Sequence, residues 1–552
     1  MLFAPCEIKG QLSHLDYNPD VTHMLDRLET SGHLDLKHQS VRYQSLLDIL
    51  QSNIKKDSVS PIDLNNWDLL HKSIPERKYY SSDTTEVYDR QSKGIFNTFY
   101  KSPYSFYTLD TEDFFLKIDP IIHFGLGDDT QDGNFVFQNT RGLKLRGTID
   151  QKVYFYSSIL ENQQRFLNYE EDEIARLNAI PGQGFFKTYQ SGLIDGIRGW
   201  DYLNAQAYVG LKISKSIDFQ LGHGRHFIGD GIRSMLLSDY GNNYFYLQLN
   251  TKIWKLHYQN TFAELSSFSS RDNIGSELIP KKYMASHYLN YQVSDRLSIG
   301  IFESIIFSRE NNFEFQYLNP IILYRTVEQL LDSPDNALLG LNVKWIPKLK
   351  YQLYGQLMVD ELRTDQIFSG RGWWGNKIGY QLGFKKFDLF SVDNLDLQLE
   401  LNSARPYTYA HRADDDTKRP ATSYSHFNQP LAHPYGANFR EFIFQLKYHA
   451  NEKLSFSGLL LNSNYGDGIN VGRDILENYE NRISDFGNST GQGIANDITS
   501  LHLNASWQFF PNYFVDFTYI NRNQTTQDAN STKTNYWGFG LRANISSRRL
   551  IL

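Results

Sequence analysis

Residues 500–512 read Ser500-Leu501-His502-Leu503-Asn504-Ala505-Ser506-Trp507-Gln508-Phe509-Phe510-Pro511-Asn512. Leu501, Leu503, Ala505, Trp507 and Phe509 fall on one face of an extended chain, and Ser500, His502, Asn504, Ser506 and Gln508 on the other, a period of two that marks a strand with unlike faces. Working outward, the same alternation recurs at Leu395, Leu397, Leu399 and Leu401, at Ile378, Tyr380, Leu382 and Phe384, at Leu203, Ala205, Ala207, Val209 and Leu211, and at Trp537, Phe539, Leu541, Ala543 and Ile545. A soluble β-sandwich also alternates, so the connections must decide.

Strands are expected at 113–125, 134–146, 150–160, 199–213, 215–223, 243–250, 252–263, 282–294, 296–307, 338–346, 349–360, 375–387, 393–403, 439–449, 453–464, 497–509, 512–522 and 534–546, an even count of eighteen. Every second connection is short, as at Ser214-Lys215-Ser216, Ser294-Asp295-Arg296 and Phe510-Pro511-Asn512, while those at 161–198, 222–242, 264–281, 308–337, 404–438 and 465–496 are long. Sorting of connection length by end is the signature of an outer-membrane barrel, with short periplasmic turns and long outer loops. The fold expected is therefore an all-β transmembrane barrel of about 18 antiparallel strands. It occupies 112–552 and follows an N-terminal helical region over 1–111.

Composition agrees. The chain of 552 residues holds 36 Tyr, 37 Phe and 8 Trp, enough for aromatic girdles where a barrel wall meets headgroups. No run approaches the roughly 18 apolar residues of a membrane-spanning helix, and the mean hydropathy of -0.49 suits a wall that is apolar only at alternate positions. A net charge of -7 gives no cationic footprint for nucleic acid. The single Cys6 excludes an intramolecular disulfide framework; Pro5 just before it fits a lipid-anchored cysteine poorly, and Met1 to Cys6 lacks the charged start of a secretory signal.

Before the alternation, Val21, Met24, Leu25 and Leu28 repeat with helical spacing, as do Tyr43, Leu46, Leu47 and Leu50, and Ser60-Pro61 with Asp63 is a helix start. Three short helices follow. An even strand count puts both termini on the short-turn side, which places these helices in the periplasm, where they are free to meet envelope partners.

The run Gly222-His223-Gly224-Arg225-His226-Phe227-Ile228-Gly229-Asp230-Gly231-Ile232-Arg233-Ser234-Met235-Leu236-Leu237-Ser238-Asp239 resembles the signature of the capsule-assembly Wzi family, nearest to its gliding-motility-associated branch. Tyr317-Leu318-Asn319-Pro320, Ser333-Pro334-Asp335-Asn336-Ala337-Leu338-Leu339-Gly340 and Tyr354-Gly355-Gln356-Leu357 are similar to further landmarks of that branch. Leu25-Asp26-Arg27-Leu28-Glu29 with Ser31-Gly32 is similar to the family's helical region. The resemblance implies an eighteen-stranded outer-membrane barrel, a periplasmic helical region and loops that close the lumen. The best-understood members act as lectins holding capsular polysaccharide on the cell surface. The sequence departs from the pattern in lacking a clear signal and in ending Arg548-Arg549-Leu550-Ile551-Leu552 without a terminal aromatic.

Two constellations carry candidate chemistry. His223, Arg225, His226, Asp230 and Arg233 either hydrogen-bond sugar hydroxyls and carboxylates or form an ion network pinning the loop inside the lumen; the network is preferred, since the loops must close whatever the ligand. His223 and His226, three residues apart on an extended chain, point to opposite faces, against a zinc site. In Ser369-Gly370-Arg371-Gly372-Trp373-Trp374-Gly375, indole faces can stack on pyranose rings and Arg371 can pair with a uronate, against a plain girdle pair. Tyr407, Tyr409, His411 and Arg412 extend that surface. Asp128, Asp129 and Asp132, and Asp414-Asp415-Asp416, read as solvated loops rather than calcium sites.

No nucleophile elbow, phosphate loop or zinc-protease element is present, and Asp360-Glu361 point opposite ways on a strand. No enzyme, metal or cofactor is expected. The expected role is an outer-membrane barrel, surrounded by lipid, whose loops bind capsular or extracellular polysaccharide for capsule attachment or for adhesion and gliding motility. The alternative is an accessory barrel for transport or secretion.

Overall fold

The computed structural model describes residues 12–14, 18–42, 44–55, 59–79, 100, 102–131, 133–192, 198–267, 279–309, 312–321, 323–331, 335–413, 419–529 and 531–547. Cys6, Tyr43, Asp132, Ser333-Pro334, Asp414-Asp415-Asp416 and 548–552 lie outside them.

Eighteen antiparallel strands close on themselves: β1 Phe114–Asp129, β2 Asn134–Ile149, β3 Val153–Arg165, β4 Arg198–Lys212, β5 Ile217–Gly224, β6 Tyr244–Ile253, β7 Leu256–Ser266, β8 Lys281–Ser294, β9 Leu297–Phe307, β10 Asn336–Lys348, β11 Tyr351–Glu361, β12 Lys377–Lys386, β13 Leu395–Ala404, β14 Phe439–His449, β15 Leu454–Asp467, β16 Ile494–Phe510, β17 Tyr513–Thr526 and β18 Thr532–Ala543. β18 pairs back onto β1 from Ile122↔Ala543 to Asp129↔Tyr536, so the wall has no edge. Short strands at Tyr107–Asp110 and Phe186–Gln190 extend the sheet beside β1 and β4.

The wall is inverted relative to a soluble protein. On β16, Leu503 and Trp507 are exposed while Ser500, His502 and Ser506 are buried; on β18, Trp537, Phe539 and Leu541 are exposed and Arg542 is buried. An apolar outer face suits hydrocarbon, and a polar inner face suits a lumen whose groups satisfy one another, as when Arg542 donates to Asp516 at 2.6 Å. The tight connections use left-handed residues, among them Asp150, Gln151, Lys350 and Asn512.

The helices form where the spacing places them: α1 Pro19–Thr30, α2 Leu46–Gln51 and α3 Pro61–Lys72. Asn18 caps α1, and the Ser60 hydroxyl accepts from the Asp63 amide at 3.1 Å. They do not form a body standing clear of the barrel. Their apolar residues cluster together, and their polar ones bond the wall and its short turns. Arg27 of α1 reaches three carboxylates at once, Asp63 at 2.8 Å and Asp388 and Asp396 at 2.6 Å each. Thr30 donates to Gln352, Ser60 to Asn394, and Lys252 pairs with Asp48. The helical region is a plug at the short-turn mouth.

Against the burial that would raise it, Lys350 and the Arg27 guanidinium hold the Asp388 carboxyl down at about 2. A depressed carboxyl stabilises the fold above its unfolded value and stops doing so as pH falls through its folded value. Proteolysis of the plug is therefore expected to stay slow at neutral pH and to speed up as pH drops from about 4 to about 2. Arg27→Ala, which strands three buried carboxylates, is expected to destabilise the plug by about 3–5 kcal/mol, giving rapid cleavage within 19–72 at neutral pH while the barrel stays heat-modifiable on gels.

Candidate functional site

Long connections leave the wall and stack over the lumen in layers. The connection 225–243, after β5, descends to meet the plug: Gly229 donates to the Ser40 carbonyl at 2.7 Å and Arg42 to the Phe227 carbonyl at 3.1 Å, while Ile228 bridges Val41 on one side and Leu237 on the other. Gly229 has φ +142, and a Cβ there would strike the Gln356 amide. Wall side chains hold the loop. Gln356 accepts from the Met235 amide at 2.7 Å, and Glu400 accepts from the Ile232 and Arg233 amides at 2.7 and 3.0 Å.

Asp230, fully buried, accepts from Ser40 at 2.8 Å and Asn342 at 3.1 Å and lies 4.0 Å from Lys344. Arg233 is bidentate to Glu441 at 2.8 and 3.2 Å, and His433 reaches the same carboxylate at 2.8 Å. Arg225 donates to the Gly182 and Gly241 carbonyls at 3.4 and 3.3 Å. His226 is buried against Tyr244 at 3.0 Å, and burial pushes its imidazole down to about 3, so it is neutral. His223 sits on the outer face of β5, opposite Phe245. Asp230, Arg233 and His226 thus bond wall side chains and Arg225 bonds loop carbonyls, while His223 stands apart from them.

Over this loop lie 405–413 and 419–438. The Tyr409 hydroxyl donates to the Met235 carbonyl and the Tyr424 hydroxyl to the Leu236 carbonyl, both at 2.8 Å, with the two rings stacked at 5.8 Å. Lys282 donates to the Ser423 carbonyl at 2.8 Å, and the Ser238 amide to the Leu431 carbonyl at 2.8 Å. Tyr407 is buried too, its hydroxyl donating to Asn470. Tyr407 and Tyr409, expected to extend a sugar-contacting surface, instead spend their rings on packing and their hydroxyls on backbone carbonyls. Both have positive φ, 65° and 71°. Burial, with Lys377 and Arg412 nearby, pushes His411 down to about 3; Arg412 remains exposed.

The outermost layer joins 362–376 to 468–493. Arg371, Gly372 and Trp374 pair with the second loop through Gly487→Arg371, Asn488→Gly372 and Trp374→Asp485 backbone bonds of 2.9 Å each. Trp374 is held by the Arg482 guanidinium at 4.2 Å and the Tyr479 ring at 4.8 Å. Trp373, half-buried, carries Arg363 at 5.2 Å over its ring, and the exposed Arg371 lies 4.1 Å over Phe486. Arg363 pairs with Asp365, and Arg482 with Glu480 and Asp485. Arg371 has no carboxylate partner among the described residues. Phe486 and Arg482, which the sequence reading missed, complete the patch; neither stands in a recognisable motif, and only the lacing of two distant loops brings them there. Among the described residues this rim does not merge with 222–242 into one cleft, because the layer of Tyr407, Tyr409 and Tyr424 lies between them.

No family model matches the sequence and no curated protein matches it. Solved structures do. Wzi, an outer membrane protein involved in group 1 capsule assembly in Escherichia coli and a carbohydrate-binding β-barrel, superposes with a TM-score of 0.56 at 12% identity, over 98% of this chain and 100% of its own. The fold is that of Wzi. OprD of Pseudomonas aeruginosa aligns at 10% identity over 77% of this chain and 94% of its own, TM-score 0.42. OccAB2 of Acinetobacter baumannii aligns at 11% over 78% and 97%, TM-score 0.40. The Wzi likeness spans the helical plug as well as the wall.

Tyr409→Phe removes the donor that satisfies the buried Met235 carbonyl. It is expected to cost about 1–3 kcal/mol, visible as a lower thermal unfolding temperature.

Proposed function

We propose that this protein is an outer-membrane barrel that binds surface polysaccharide on its long-loop rim and serves capsule attachment. The observation carrying this reading is Arg371: an exposed guanidinium with no acid partner among the described residues, set beside Trp373 on a rim fixed by backbone bonds between two loops. Such an arrangement suits an acidic glycan, the guanidinium taking a uronate carboxylate in two parallel hydrogen bonds and the indole taking the apolar face of a neighbouring ring. That Wzi is a carbohydrate-binding barrel of the same fold supports the reading. The layers beneath keep the rim from collapsing into the lumen, so little ordering is left to be done on binding. A strain lacking the protein, assayed separately for retained capsule and for surface adhesion and gliding, distinguishes those two uses of a glycan-binding rim.

Arg371→Ala and Trp373→Ala are each expected to weaken binding of a purified uronate-containing capsular polysaccharide about tenfold, roughly 1.4 kcal/mol, by titration calorimetry, with Tyr409→Phe unchanged. Binding that survives the double substitution would move the site elsewhere.

A transport or secretion role draws on one feature, a cavity of about 1100 Å³ in the lumen on the side of β1–β7 and β15–β18. The plug and the 225–243 loop, bonded to each other across the lumen, favour a closed barrel. In planar bilayers the protein is expected to show no stable open-channel current, whereas a steady conductance would favour transport.

A further inference from the structure

The described residues of the connection between β9 and β10 fold down the outside of the wall, unlike the inward-folding connections described above. Facing directions settle this. Met284 and Tyr288 of β8 and Phe302 and Ile306 of β9 pack with Met235 and Leu236 in the lumen. Their alternate neighbours Tyr283, Ala285, Ile305 and Phe307 therefore point out, and these are buried against Tyr317, Tyr324 and Val327 of the connection. The segment carries a helix, α4 Tyr324–Leu331, whose Arg325 amide donates to Glu303 at 3.1 Å and whose Tyr324 ring lies 3.9 Å from His287. Asp335 clasps the two ends together, accepting from Arg309 at 2.6 and 2.7 Å and from Tyr317 at 2.7 Å.

The segment reaches far down. The Pro320 carbonyl accepts from Asn260 at 3.3 Å and from the Tyr258 hydroxyl. Tyr258 is six residues below Glu264 on the outward row of β7, and Glu264 makes an exposed ion pair with Lys281 that marks a polar level. Six residues span roughly 20 Å of strand, or about 15 Å of depth at a 40° tilt, in a band about 25 Å tall. Beneath the segment, Asn260, His287 and Glu303 occupy outward positions and are all buried, and Glu303 Oε2, His287 Nε2 and the Tyr324 hydroxyl have no hydrogen-bond partner among the described residues. Bare of cover, this polar row would face hydrocarbon. Above it, Phe315, Ile321, Leu323 and Leu330 are 76%, 85%, 64% and 75% exposed, and they continue the apolar surface of Ile301, Leu339 and Leu341 on the adjoining wall. Arg325 and Glu328 neutralise each other at 2.5 Å.

We propose that residues 312–321 and 323–331 form a membrane-inserted flap whose exposed apolar edge contacts lipid acyl chains and seals the Asn260, His287 and Glu303 row from them. This rests on the barrel's membrane-facing wall and not on the glycan reading. The test uses the full chain with Cys6→Ser, carrying one spin label at Leu323→Cys, Ile321→Cys or Leu330→Cys, in phosphatidylcholine vesicles. Ile301→Cys on the bare wall and Asp365→Cys on the rim are references for lipid and water. Collisions with oxygen and with a water-soluble nickel chelate give the depth of each label. The flap labels are expected to shift away from the Asp365 value to that of Ile301, rich in oxygen and poor in nickel. Nickel collisions as frequent as at Asp365 would overturn the proposal, as would low collision with both, which means cover by protein or a second copy. An aqueous reading at Ile301 as well would overturn the membrane-facing wall itself.

Discussion

Two lysines hold the middle of this molecule. Lys344 and Lys385 point into the lumen from neighbouring wall regions, and each grips the plug with one hand and the descending loop with the other. Lys385 bonds Asp26 of α1 and the Asp230 carbonyl, both at 2.7 Å, and Lys344 bonds Glu29 and lies within 4.0 Å of Asp230. Arg42 adds a third cation, 3.8 Å from Asp26. Three cations meet three carboxylates, Asp26, Glu29 and Asp230. Buried charges of this kind are tolerated only as a set, and losing one member costs several kcal/mol because its partners stay buried. The set therefore specifies how plug and loop lie relative to the wall more than it adds net stability.

From that junction the rest of the lumen stacks in order. Val41, Ile228 and Leu237 form a narrow ribbon across the barrel, Met235 and Leu236 turn their carbonyls up to Tyr409 and Tyr424, and those tyrosines anchor the layer on which the outer rim sits. A rim supported from below can present Arg371 and Trp373 in one arrangement, which is what recognition of a stiff, repetitive polymer requires. The same logic runs on the outer face of the wall, where a polar row on β7, β8 and β9 is closed from the other side by the flap.

Much of this was legible in the sequence, for physical reasons. The strands announced themselves because one face must be apolar and the other polar, and the turns because tight reversals need particular backbone angles. The helices of the plug carried their spacing and caps openly. What stayed hidden were contacts between segments far apart in the chain. Tyr407 and Tyr409 looked like surface residues because they stand in a long loop, yet the stretch from Ala421 to Phe439 carries no Asp, Glu, Lys or Arg, unlike a solvated loop. That absence was a readable sign of burial. The polar residues Asn260, His287 and Glu303 in outward slots were another sign, breaking the alternation where the flap lies. Phe486 and Arg482 gave none, since only pairing between 371–374 and 485–488 brings them to the rim.

Plug and loop meet inside a closed barrel, and amide hydrogen exchange of the reconstituted protein tests that junction directly. The amides of Arg42 and Gly229 are bonded across that junction to Phe227 and Ser40, and the Ile228 amide between them is bonded to Leu237 within the loop. They are predicted to exchange as slowly as amides of the wall strands. Exchange of these three at the rate of exposed loop amides, with the wall still protected, would contradict it.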